Sequence, residues 1–188
     1  MSAFPDFFLT KLGAHFLHTY YRAFVMSDDG CVLCAKDDTG EVVAFCAAAY
    51  LSSGFNKRLV KKRLVPFMIE GIHLLFSRPN SLIRLIKNFS KTSDQEEDSG
   101  QYAELFSIAT EQELQGKGLG KMLIEELEKE LLRVGVHEVS LTTDANDNEP
   151  TLAFYKKIGY EIMYPFVSYP NREMLRLIKR LSSGSIIE

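Results

Sequence analysis

Six consecutive residues, Gln115-Gly116-Lys117-Gly118-Leu119-Gly120, constrain the fold of this chain more than any others. Before them, residues 102–110 (YAELFSIAT) alternate and then run apolar with β-favouring side chains, which predicts a buried strand. After them, Leu119, Leu123, Leu127 and Leu131 recur at every fourth position with Met122 and Val134 beside them, one face of a helix ending near Gly135. The unit is strand, glycine loop, helix. Glycines at alternate positions let the backbone approach a ligand that any Cβ would push away, and the first amides of the new helix point outward unpaired. Such a helix end attracts anions, and Lys117 adds a full positive charge. The implied ligand is a phosphorylated cofactor.

Spacing selects among such cofactors. A dinucleotide fold requires G-x-G-x-x-G, and a P-loop requires four residues between its first glycine and a Gly-Lys-Ser/Thr; neither fits G-x-G-x-G. The loop instead resembles the Q/R-x-x-G-x-G/A signature of the GNAT acyltransferases, and 108–114 (IATEQEL) look like that family's approach to it. The competing reading is a glycine-rich turn that merely starts a helix. A second stretch decides between them: 148–160 (NEPTLAFYKKIGY) resembles the family motif N-x-x-A-x-x-x-Y-x-x-x-G-F/Y, with Thr151 in place of the alanine. The two motifs span about residues 104–160, in the family's order.

The resemblance implies a mixed central α/β sheet flanked by helices, a single domain over 1–188, and acetyl-CoA as co-substrate with no metal. It places the pyrophosphate on Gln115, Gly116, Lys117, Gly118, Leu119 and Gly120. Main-chain groups of Ile108, Ala109 and Thr110 are expected along the pantetheine arm, and Asn148 beside it or as an N-cap of the next helix. Acetylating an amine requires a base to remove a proton, donors for the developing oxyanion and an acid for the departing thiolate. Tyr155 occupies the position of the family's acid, and a phenol with pKa ~10 keeps its proton at neutral pH. Glu104 sits where some members carry a basic glutamate; strand alternation puts it on the face of Ile108 and Thr110.

The rest of the chain is read in order. Residues 4–24 carry an aromatic helical stripe that Pro5 and Asp6 start, ended by 27–30 (SDDG). Strands follow at 31–36 and 41–50 about the turn 37–40 (DDTG). The family usually begins with a strand and a further helix before this point, so that strand is expected to be missing or replaced. Residues 55–91 hold nine Lys/Arg against Glu70, a net +8. Apolar residues predict two helices there, at 64–76 and 82–89, making a helical hairpin between the family's third and fourth strands. Residues 93–100 read as an acidic loop, 138–143 as a strand, 151–158 as a short helix, and 160–169 and 172–181 as closing strands.

Composition excludes several classes. Net charge is −3, which leaves no global case for nucleic acid, and no apolar run approaches the ~18–20 residues of a membrane span. No secretory leader pattern opens the chain, so a cytoplasmic location is expected. Cys31, Cys34 and Cys46 are too few for a disulfide framework and read as small core residues. His15 and His18 read as partly buried and hydrogen-bonded rather than as metal ligands. The expected activity is N-acetylation of a primary amine on a small, anionic or sugar-type molecule. The alternatives are a protein (lysine or N-terminal) acetyltransferase and a non-catalytic acyl-CoA-binding module. Peripheral contact of 55–91 with an anionic surface and a homodimer through the C-terminal strands are further expectations.

Overall fold

A computed structural model describes residues 12–90 and 98–182, apart from the side chains of 84, 86 and 88–90. The elements are α1 (Ala14–Val25), β1 (Gly30–Lys36), β2 (Val42–Ala49), α2 (Phe55–Lys62), α3 (Leu64–Ser77), α4 (Pro79–Ser90), β3 (Ala103–Thr110), α5 (Leu119–Arg133), β4 (Glu138–Asp144), α6 (Glu149–Lys157), β5 (Glu161–Ser168) and β6 (Arg172–Arg180). The six strands form one sheet in the order β1-β2-β3-β4-β6-β5. Among the described residues only β3 and β4 pair in parallel, because α5 carries the chain back between them.

Each face of the sheet has its own core. Beneath α5 and α6, Leu123, Ile124, Leu127 and Leu131 pack on Leu105, Val139, Leu141 and Leu177, so the leucine repeat of α5 is the stripe that anchors it. On the other face, Phe16, Tyr20 and Phe24 of α1 pack with Phe55 and Leu59 of α2 and with Phe67 and Leu74 of α3. The β1–β2 turn forms as its composition requires: Asp37 Oδ1 accepts from the amides of Thr39 and Glu41 at 2.9 Å, and Gly40 adopts φ 88°.

Several expectations change. Gly13 has φ 96°, which no right-handed helix tolerates, so α1 starts at Ala14 instead of running unbroken from residue 4. Residues 4–11, the place of the family's first strand, and 91–97 lie outside the described residues. The helical hairpin is present as α3 and α4, in the insertion between β2 and β3, and an additional helix precedes it: Phe55 and Leu59 anchor α2, which ends at Arg63. His15 and His18 are exposed, on the side of α1 away from Phe16 and Tyr20. Alternation in β1 sends Cys31 to the α5 core and leaves Cys34 exposed, so only Cys46 is fully buried.

Candidate active site

The glycine loop leaves β3 through a short 3-10 turn, Gln112–Leu114, and enters α5 at Gly118. Gly116 and Gly118 have φ of 76° and 87°, values that L side chains rarely adopt. A Cβ at Gly116, Gly118 or Gly120 would meet nothing within 4 Å, so the loop borders open space. No side chain caps α5, and the first helical bond is Met122 N–H to the Gly118 carbonyl at 3.0 Å. The amides of Leu119, Gly120 and Lys121 therefore stand outside the helical ladder and point outward from the N-terminus, with Lys117 exposed beside them. This cradle suits a pyrophosphate.

Beside it the sheet opens. The ladder between β3 and β4 covers only the pairs Ala103↔Val139, Glu104↔Ser140 and Leu105↔Leu141, although β3 runs on to Thr110 and β4 to Asp144. On the other side of β3, Glu111 N–H bonds to the Val43 carbonyl at 2.9 Å, and Ala109 pairs with Phe45. Antiparallel alternation then turns the main-chain groups of Ile108 and Thr110 towards the gap, while those of Ala109 are spent on β2. The side-chain amide of Gln115 donates to the Thr110 carbonyl at 3.5 Å, tying the loop to the strand end.

A bulge corrects one expectation. Ala48 pairs with Leu105 and the adjacent Ala47 with Ser107, which leaves Phe106 as an extra residue in β3. Leu105 and Ile108, three residues apart, thus share the α5 face. Phe106 packs against the α1 core, and Ser107 accepts a hydrogen bond from Tyr21 of α1 at 2.8 Å. Glu104 therefore does not share the face of Ile108. It lies on the α1 side.

Tyr155 of α6 is buried in the core on the α5 face, edge-on to Phe154 and Tyr160. Burial, with a further contribution from the Cys46 thiol, pushes its phenol up to about 12. Cys46 is the cross-strand partner of Ile108, and Cys46, Ile108 and Tyr155 belong to the same core on the α5 face. Asn148 precedes α6 without capping it by side chain. Its Nδ2 donates to Thr143 Oγ1 at 2.6 Å and to the Asp144 carbonyl at 3.0 Å, pinning the β4–α6 loop and leaving Oδ1 for other contacts.

Glu104 is buried and doubly held: Ser52 Oγ donates to Oε2, and Arg176 Nη1 donates to Oε1 at 3.1 Å. Arg176 also donates to Ser140 Oγ at 3.0 Å and pairs with Asp98 at 3.5 Å, its side chain only 15% exposed. Burial works against ionisation of Asp98, but the donated hydroxyls of Tyr102 and Tyr164, with Arg176 nearby, hold its carboxyl below the usual range. These residues close the α1 face at the paired end of β3 and β4. An open hollow of about 520 Å³ lined by Tyr50, Val136, His137 and Arg180 lies beyond them, at the end of the sheet away from the glycine loop.

With cradle, gap and tyrosine in place, comparison with known proteins settles the family. The sequence pattern of the acetyltransferase (GNAT) family matches residues 2–160. The chain belongs to the GNAT family. A mycothiol acetyltransferase from Pseudarthrobacter chlorophenolicus is 38% identical over 66 residues, 32% of this chain. The chain spans about a fifth of that relative's length, the match covering 20% of it. Among solved structures, a ribosomal-protein alanine N-acetyltransferase from Escherichia coli superposes with a TM-score of 0.54 at 16% identity, over 91% of this chain and 81% of the other. An aminoglycoside 6'-N-acetyltransferase complexed with coenzyme A gives 0.51 at 15%, over 84% and 76%. These likenesses show the fold.

Within this GNAT fold, Ile108 and Thr110 turn their main-chain groups to the gap beside the loop, Asn148 pins the turn after β4, and Tyr155 lies in the α5-face core against which Ile108 packs. Glu104 lies on the opposite face from Tyr155, and Ala109 turns its main chain away from the gap. Ser52, Asp98 and Arg176, which hold Glu104 directly or through the network, carry no sequence signal: they come from a loop, an acidic stretch and a strand 72 residues from Glu104. Among the described residues there is no cluster of His, Cys, Asp and Glu fit for a metal ion.

Proposed function

We propose that this chain is an acetyl-CoA-dependent N-acetyltransferase acting on a primary amine of a small, anionic or sugar-type acceptor. The observation that supports this most is the parting of β3 from β4 next to a glycine loop that borders open space. Acetyl-CoA supplies an acyl group activated as a thioester: the amine nitrogen bonds to the acyl carbon, the carbon–sulfur bond breaks, and CoA leaves as the thiolate. The amides of Leu119, Gly120 and Lys121, with Lys117, bind the pyrophosphate; the main-chain N–H of Ile108 and Thr110 orient the arm and polarise the acyl carbonyl. Tyr155, kept protonated by burial, gives its proton to the leaving sulfur.

The acceptor reaches the gap from the α1 face, where Glu104 takes the amine proton directly or through a water. Acid and base then act from opposite faces of the sheet, and the gap is where they meet. The name of the mycothiol acetyltransferase relative is that of an enzyme acting on a small molecule, which supports a small acceptor over a protein. A homodimer through the C-terminal strands, where Ile162 is exposed, belongs to the same reading.

Thiol release from acetyl-CoA across a panel of amines tests the reading. Turnover is expected with at least one small amine, falling roughly 100-fold in kcat for Tyr155→Phe while CoA affinity holds. A folded protein that binds CoA and acetylates none of them would replace this reading with a CoA-binding module.

A further inference from the structure

The insertion leaves one helix face uncovered. In α3, Phe67, Glu70 and Leu74 point inward, whereas Val65, Met68, Ile69, Ile72 and Phe76 are exposed by 67, 56, 62, 56 and 82%. At ~100° per residue these five, with Leu64 and Leu75, fall in an arc of about 140° that contains no charged or polar residue. The stripe is roughly 20 Å long for a helix of 14 residues. Burying it would remove far more apolar surface from water than the scattered exposed leucines of an ordinary surface.

Charge is segregated onto the same segment. The chain carries −3 in total and residues 55–91 carry +8, so the remainder carries −11. Lys57 and Lys61 stand exposed on α2, immediately ahead of the apolar stripe. Lys62 and Arg58 share the single carboxylate of Asp29, at 2.9 and 3.6 Å, which leaves the segment strongly positive. A second copy docking on this face would set +8 against +8. A nucleic acid would match the charge and leave seven apolar side chains facing phosphate and water.

We propose that α3 is an interfacial helix that seats this face of the protein on an anionic membrane surface, its apolar stripe entering the headgroup boundary and the lysines of α2 contacting acidic lipid. No helix among the described residues is long and apolar enough to span a membrane, so the contact is peripheral. It requires neither the cofactor nor turnover, and its failure would leave the proposed activity untouched.

The chain contains no tryptophan, so Phe76→Trp creates a single reporter. The full chain carrying it is titrated with phosphatidylcholine vesicles with and without about 30% phosphatidylserine. The proposal expects a blue shift and quenching by bromine-labelled acyl chains with the anionic vesicles only. Lys57→Gln and Lys61→Gln should each weaken partitioning about five-fold at low salt. Ile69→Asn should abolish the quenching, with the melting temperature unchanged as control. Absence of partitioning by the Phe76→Trp chain and by the unmodified chain in co-sedimentation overturns the proposal. Partitioning without quenching, which would mark a purely electrostatic contact, overturns it too, as does protection of the introduced indole by a protein or by self-association in the absence of lipid.

Discussion

The two faces of this sheet follow different rules. Under α5 and α6, the leucine stripe of α5 is buried from Leu123 to Leu131, the helix starts at a glycine cradle, and the side chains facing outward are charged pairs such as Lys121–Glu125 and Lys129–Glu126. Over α1 to α4, the core is aromatic, its innermost polar groups are the Arg176 network, and the outer surface of α3 is as apolar as an interior. One face is complete in itself. The other leaves Val65, Met68, Ile69, Ile72 and Phe76 of α3 exposed. The contrast teaches that helix packing on the sheet accounts for the outer surface of α5, which is polar, but not for that of α3, which keeps an apolar stripe exposed.

The contrast is open to test in order of expected effect. Arg176→Met removes the positive partner of two buried or half-buried carboxylates and should cost about 3 kcal/mol or more. Chemical denaturation measures it, and a loss below about 1 kcal/mol would show that Glu104 and Asp98 are satisfied without the arginine. Leu127→Ala on the complete face should cost roughly 2–5 kcal/mol, since the residue has no exposure at all. Next comes alkaline pH. Burial raises Tyr155 to about 12, so above pH 10 the folded chain keeps a proton that the unfolded chain releases. The stability this contributes is complete below pH 10 and declines as pH rises towards 12, by up to about 1.4 kcal/mol per unit. Comparing unfolding at pH 10 and 11 in wild type and Tyr155→Phe isolates that slope, and an equal slope in both would contradict the burial of the phenol. Smallest is Ile69→Ala on the outer stripe, expected within about 0.5 kcal/mol in the absence of lipid. A loss comparable to that of Leu127→Ala would mean that the stripe is covered by the protein itself.

Legibility divides along the same line. The strand, loop and helix from 103 to 133, β4, α6 and the two closing strands are readable because each is specified by contiguous periodicity and by glycines whose positive φ is a local demand. The site lies mostly in those segments, which is why Gly116, Gly118 and Tyr155 stand out in the sequence. Glu104 is identifiable by position, and its face is not: the bulge at Phe106 is set by pairing with β2, which strand alternation alone does not reveal. Arg176, Asp98 and Ser52 are brought to Glu104 only by tertiary folding. The break at Gly13 is hidden because a glycine inside an apolar stripe is tolerated in many helices, and α2 because its two anchors, Phe55 and Leu59, are too few to mark a helix among lysines.

The most direct test of the central claim is calorimetric titration of the protein and of Gly118→Glu with acetyl-CoA and with free CoA. The unsubstituted chain should bind in the low micromolar range, about 7–8 kcal/mol. Gly118→Glu places a carboxylate at the N-terminus of α5 where no atom stands within 4 Å of the new Cβ; the left-handed φ of 87° costs about 1–2 kcal/mol of strain, so the variant should lose that binding while remaining folded, as its melting curve verifies. Equal binding by both would move the cofactor away from the glycine loop, and no binding by a folded wild-type chain would reduce the loop to a turn and remove the basis for the transferase.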